Sequence, residues 1–238
     1  MPGETDAAYH RGSQLSRLGR HTEALAAVDE FLLTAPGNAN ALMLRGAELV
    51  ALHRDEEALD TFGEVVARDP GYAMGHYNRA MTLTGLGRDR EALAAYDRAV
   101  ASAPDQIFFR IRKGVALAGL GDLGSALTEF DAAYRVAPEK AGEAEAWAGA
   151  ILWHRGDDQG ARRRFARVKG RVSGNTAFDA AALEAIARCA LGDPSGAERT
   201  LREAKSRHGS AHQDGLGPLY DLLAAPPLAG RGPASRHR

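Results

Sequence analysis

Small and apolar side chains return along this chain in a fixed register. Ala24, Ala58, Ala92 and Ala126 are spaced 34 residues apart. Four residues after the last three come the aromatics Phe62, Tyr96 and Phe130, with Val28 in that place in the first cycle. Pro36, Pro70, Pro104 and Pro138 close the cycles with the same spacing. Such a period marks an array of stacked supersecondary units rather than one irregular core. Each proline ends a helix, because its ring removes the N–H that the hydrogen-bond ladder needs. Between the prolines the chain is rich in alanine, which favours helix and lets neighbouring helices approach closely.

The register resembles the tetratricopeptide repeat, a helix–turn–helix unit of 34 residues with small residues at positions 8 and 20, an aromatic at 24 and proline at 32. Position 8 is then Gly12, Gly46, Ala80 and Gly114, and a turn glycine at position 15 is Gly19, Gly87 and Gly121, with His53 in the second repeat. This predicts repeats at 5–38, 39–72, 73–106 and 107–140. Gly149, Gly156, Ala161 and Phe165 define a fifth at 142–175, and Ala185, Gly192, Ala197 and Leu201 a sixth at 178–211. The last two lack the proline, and the extra residues Ala141 and Thr176-Ala177 fall between units, where a turn absorbs them.

The expected fold is all-α: a right-handed α–α superhelical solenoid of about six such units. Residues 212–225 are read as a link and an amphipathic capping helix (Pro218 to Ala225), and 226–238 as a disordered tail of Pro, Gly, Ala, Ser and Arg. Positions 8 and 20 meet where the first helix of a repeat crosses the second, so bulk there would force the helices apart. Each unit leaves an apolar face that only a stacked neighbour hides.

In the family, the first helix of each repeat lines the concave groove, chiefly through positions 2, 5, 6, 9, 12 and 13. Those positions carry Asn40, Met43, Leu44, Ala47 and Val50 in the second repeat, and Met74, Tyr77, Asn78, Met81 and Thr84 in the third. They carry Phe108, Ile111, Arg112, Val115 and Ala118 in the fourth. In the fifth they carry Glu143, Ala146, Trp147, Ala150, Trp153 and His154. The resemblance implies an apolar groove for a peptide segment of another protein, with Asn40, Asn78 and Arg112 as hydrogen-bonding groups. Apolar residues at helical spacing are also the ordinary content of a core, so the two readings compete residue by residue. Co-chaperones of the same class hold a two-carboxylate clamp of lysine, asparagine and arginine. Asn78 and Arg112 match it, whereas Met43, Ala47 and Phe108 replace the other members.

Composition narrows the chemistry further. Net charge is −1, with 45% apolar and 26% charged residues, so no polyanion-binding character stands out. The start, Met1 to Asp6, has no apolar core of a secretory signal, and no run is long and apolar enough for a membrane helix. Cys189 is a lone cysteine, which excludes an intramolecular disulfide and a cysteine–zinc site and points to a reducing cytoplasm. Arginine far outnumbers lysine, a bias of high-GC bacterial chains. The basic run Arg162, Arg163, Arg164, Arg167, Lys169 and Arg171 reads as a solvated helix face, and nucleic acid is not expected as a partner.

His208 and His212 with Asp214 have a glycine between them that spoils a rigid metal site, and no metal or cofactor is expected. No nucleophile–base or phosphate-loop motif appears, so no catalysis is expected. The leading expectation is a bacterial, cytoplasmic adaptor or scaffold that binds a partner's peptide, with its oligomeric state open. A secretion-type chaperone for a hydrophobic client and a sensor of a small signalling molecule are the alternatives. A pilus or outer-membrane assembly lipoprotein would need a signal sequence with a lipid-acceptor cysteine.

Overall fold

The computed structural model describes residues 2–168 together with Gly192 and Arg199. Among them are ten α-helices and no strand, as the all-α reading requires. They divide into two compact units, Met1–Pro104 and Asp105–Arg238. The first holds α1 (Pro2–Arg17), α2 (His21–Leu32), α3 (Ala39–Ala51), α4 (Asp55–Arg68), α5 (Ala73–Gly85) and α6 (Asp89–Ser102). The second holds α7 (Ile107–Gly119), α8 (Leu123–Val136), α9 (Gly142–His154) and α10 (Asp158–Val168). Apart from Gly192 and Arg199, the sixth repeat expected from the sequence lies outside the described residues, as do the capping helix and the tail.

Odd- and even-numbered helices pair as antiparallel hairpins, and within each unit every hairpin packs on the next through α2 on α3, α4 on α5 and α8 on α9. The crossing point is built from a ring and a hole. Gly46 on α3 faces the buried ring of Phe62 on α4, and Gly114 on α7 faces that of Phe130 on α8. A Cβ on Gly114 would stand 2.6 Å from Phe130 Cε1, well inside contact distance. Gly149 and Phe165 repeat the arrangement in α9 and α10 at 2.8 Å. In the third repeat Ala80 takes the glycine's place and Tyr96 the ring's, both buried.

The corner between paired helices is also repeated. Gly19, Gly87, Gly121 and Gly156 have φ between 69° and 82°, and His53 adopts the same left-handed backbone at φ 57°. The residue after each donates its N–H back to the first helix, as Arg54 does to Leu49 O at 2.8 Å and Asp122 to Leu117 O at 3.0 Å. Carbonyls that a helix end leaves unpaired are thereby satisfied.

The start of the second helix differs between the units. In the first unit an arginine occupies the N-cap, and its side chain makes no capping bond: Arg20, Arg54 and Arg88. Each instead donates two hydrogen bonds to a glutamate three residues on, such as Arg54 to Glu57 at 2.7 and 2.6 Å. Those bonds hold the Glu23, Glu57 and Glu91 carboxyls below their ordinary pKa. In the second unit the same place is an aspartate that caps directly, Asp122 accepting from Ser125 N at 3.0 Å and Asp157 from Gly160 N at 2.8 Å.

Two buried carboxylates join helices, one between hairpins and one within a hairpin. Glu48 on α3 is 2% exposed and bonds His21 Nδ1 on α2 at 2.8 Å. Glu145 on α9, 1% exposed, accepts from Arg164 at 2.9 Å and Arg167 at 3.4 Å on α10. Arg164 also reaches Asp131 of α8 at 2.5 Å. Burial works against the Arg164 charge, but the Glu145 and Asp131 carboxylates outweigh it and raise its pKa.

Candidate protein-binding surface

Alternate turns of α3 and α5 bring one set of side chains to the same face, because residues three and four apart on a helix are neighbours. The two helices contact each other within the first unit. On this face Met74 is 43% exposed, Met81 45% and Val50 37%, and Asn40 and Ala47 are also exposed. Tyr77 and Asn78 are half-buried. Tyr77 rests against Tyr96 with ring centroids 6.2 Å apart, and the Tyr96 hydroxyl donates to Met81 Sδ at 3.0 Å. Met43 and Leu44 are half-buried and lean on the core. Met43 packs on the cluster of Leu25, Leu49, Ala58 and Phe62, and Leu44 on that of Ala8, Val28, Phe31 and Ala41.

None of the face positions on α3 and α5 carries a charge. Neighbouring Arg45 turns aside to Asp29 of α2 at 2.8 Å and Thr61 of α4 at 2.6 Å. The result is an uncharged apolar strip with methionine at its exposed points.

The second unit places its candidates differently. Ile111 is buried and Trp147 is 1% exposed, its ring stacked on Phe130 at 6.2 Å. These two are interior side chains. Phe108, Arg112, Val115 and Trp153 are half-buried. Arg112 Nη2 binds Glu143 of the next hairpin at 2.6 and 2.7 Å, and its guanidinium lies 5.4 Å from the centre of the Phe108 ring. A carboxylate of the chain itself thus engages Nη2 of the group read from sequence as hydrogen-bonding to a partner. Two inner positions of α9 are closed: Ala146 and Ala150 have no exposure, whereas Ala47, at the repeat position of Ala150, is exposed.

The basic run also resolves into parts. Arg164 and Arg167 are held by Glu145, and Arg167 lies 5.0 Å over the Tyr134 ring. Arg162 and Arg163 are exposed, while Lys169 and Arg171 lie outside the described residues, as do Cys189, His208, His212 and Asp214. Among the described residues no cluster of His, Cys, Asp and Glu is placed to hold a metal, and no helix is long and apolar enough to cross a membrane.

Sequence reasoning passed over the buried carboxylates Glu48 and Glu145 and the arginine–glutamate braces. The braces had a signal, since Arg20, Arg54 and Arg88 recur at the repeat spacing with glutamate three residues on.

Comparison with known proteins agrees with this geometry. No curated protein matches the sequence. Among solved structures, the type IV pilus biogenesis factor PilW aligns over 92% of this chain and 98% of its own, at 20% identity and TM-score 0.63. A tetratricopeptide repeat protein from Parabacteroides merdae aligns over 92% and 83%, at 16% identity and TM-score 0.62. A thermophilic repeat protein of Thermus thermophilus aligns over 79% and 98%, at 21% identity and TM-score 0.56. At these identities the likeness is one of fold. The tetratricopeptide repeat family model matches residues 48–107 and 111–176. The match runs through the ring-and-hole crossings of α5 to α10 and spans more than half of the sequence, and the chain belongs to the tetratricopeptide repeat family.

Proposed function

We propose that the uncharged face of α3 and α5 binds an apolar peptide segment of a partner protein. Tetratricopeptide arrays bind other proteins, and the chain is a protein-interaction scaffold in that general sense. The observation that carries the finer reading is the exposure of Met74, Met81 and Val50 together on a charge-free strip. Unbranched thioethers adapt to the shape of an apolar anchor, and an uncharged floor imposes no desolvation cost on aliphatic or aromatic side chains. Asn40 and Asn78 on the same face offer donors and acceptors to a peptide backbone. The face fits a segment with apolar anchors and no charge between them, as when an amphipathic helix lies in a groove.

Selection of peptides displayed on phage against the immobilised chain tests this. Enriched peptides are expected to be apolar in their centre, to lose at least tenfold in affinity for Met81→Glu, and to keep it for Met81→Leu. Peptides that bind Met81→Glu as well as the parent chain would place the binding surface elsewhere.

A further inference from the structure

The chain has four methionines, and apart from Met1 all of them, Met43, Met74 and Met81, belong to the proposed binding face. They differ in access. Met74 and Met81 are close to half exposed, whereas Met43 packs on a buried cluster. An exposed thioether reacts with peroxide, and the sulfoxide it becomes is polar where the thioether was apolar. We propose that Met74 and Met81 are an oxidation-sensitive pair through which hydrogen peroxide converts this face from apolar to polar without unfolding the repeat.

The chemistry balances at one sulfur and one peroxide. The sulfur lone pair attacks a peroxide oxygen, an S–O bond forms, and the O–O bond breaks. The sulfur is oxidised by two electrons, the peroxide is reduced, and after proton transfer the second oxygen leaves as water. The product has a partner waiting at Met81. The Tyr96 hydroxyl, on a side chain 2% exposed, already donates to Met81 Sδ at 3.0 Å. A sulfoxide oxygen is a stronger acceptor than a thioether, so the same donor stays within reach of a better partner. Neither Met74 nor Met81 fills the core, so their oxidation removes no interior packing. An apolar anchor seated on the strip would then bury an S=O dipole against hydrocarbon, which is unfavourable. The switch in binding rests on the proposed function, while selective oxidation and the change in surface polarity do not.

The test treats the full chain with hydrogen peroxide and maps the added oxygen by mass spectrometry after digestion. Circular dichroism and the fluorescence of an anilinonaphthalene sulfonate dye are followed in parallel. Met74 and Met81 are expected to gain one oxygen each before Met43 does, with the helical signal unchanged and dye fluorescence reduced. Methionine sulfoxide reductases should restore the dye signal, and Met74→Leu with Met81→Leu should leave it insensitive to peroxide. A selected peptide should bind the oxidised chain at least tenfold more weakly. Oxidation of Met43 in step with the other two, helix loss on oxidation, or an equal dye response from the double leucine variant overturns the proposal. If the dye and mass results hold but no peptide binds the untreated chain, the binding reading fails and the oxidation pair stands. If a peptide binds both forms equally, the switch fails and the binding reading stands.

Discussion

Two glycines in the second repeat separate the steric part of this fold from its helix propensity. Gly46 sits in α3 under the Phe62 ring, where an added Cβ would stand 2.6 Å from Cζ and 2.9 Å from Cδ1, and nearer still to Cε1. The ring is 1% exposed, so it has no open side into which to swing. Gly63 lies in α4 beside Phe62 in sequence, yet a Cβ there meets nothing within 4 Å. Replacing Gly63 by alanine removes a poor helix former at no steric cost, and is expected to stabilise by about 1 kcal/mol. Replacing Gly46 by valine recovers only about 0.4 kcal/mol of propensity, against about 1–3 kcal/mol for forcing carbon into a filled site.

The net effect of Gly46→Val is a loss of about 0.6–2.6 kcal/mol, or a fall in melting temperature of roughly 1–10 °C in a chain of this size. For Gly63→Ala a rise of roughly 2–4 °C follows from the same scaling. Thermal and urea unfolding followed by far-ultraviolet circular dichroism measure both. A Gly46→Val protein as stable as the parent would refute the ring-and-hole account, as would a Gly63→Ala protein less stable than it.

The remaining predictions concern a corner, a buried charge and a brace. His53→Gly should stabilise by about 0.5–1 kcal/mol in urea unfolding, because a left-handed backbone at φ 57° suits glycine and strains histidine. Glu145→Ala should destabilise by about 2–4 kcal/mol, since it strands Arg164 and Arg167 beside a site with 1% exposure; Asp131 keeps the loss from being larger. In a carboxyl NMR titration, Glu57 should titrate below an ordinary glutamate and return toward the ordinary value in Arg54→Gln. Because its folded pKa is lowered, its contribution is complete above the unfolded value and disappears as pH falls through the folded one, so mild acid should narrow the stability gap between Arg54→Gln and the parent.

The helices were readable because their packing is periodic. Gly46 and Phe62, or Gly114 and Phe130, stand sixteen residues apart at each crossing, so one spacing exposed both the contact and the turn between the helices. Exposure on the inner positions was not readable from that spacing. Met43 and Ile111 share one repeat position, yet one is half-buried and the other interior, because exposure depends on the neighbouring side chains. Arg112 looked available in sequence, since nothing in its own repeat marks Glu143, 31 residues away, as its partner. The buried glutamates escaped for the same reason: Glu48 meets His21 and Glu145 meets Arg164 across helices, and neither carboxylate belongs to the recurring register. His53 was visible as the odd residue among turn glycines, and its backbone follows the glycines rather than its own preference.

The two ways of starting a second helix give the halves of this chain different sensitivities to the solution around them. An arginine–glutamate brace on the surface is an attraction between ions, and dissolved salt weakens it. An aspartate bonded to a backbone N–H is a short contact within one turn, and salt reaches it less. Ionic strength therefore acts on the hairpin joints of α2, α4 and α6 more than on those of α8 and α10, although all five joints share one backbone path. A scaffold built this way carries its response to the ionic environment in three recurring side-chain pairs, and a partner seated on α3 and α5 would rest on the more salt-responsive half.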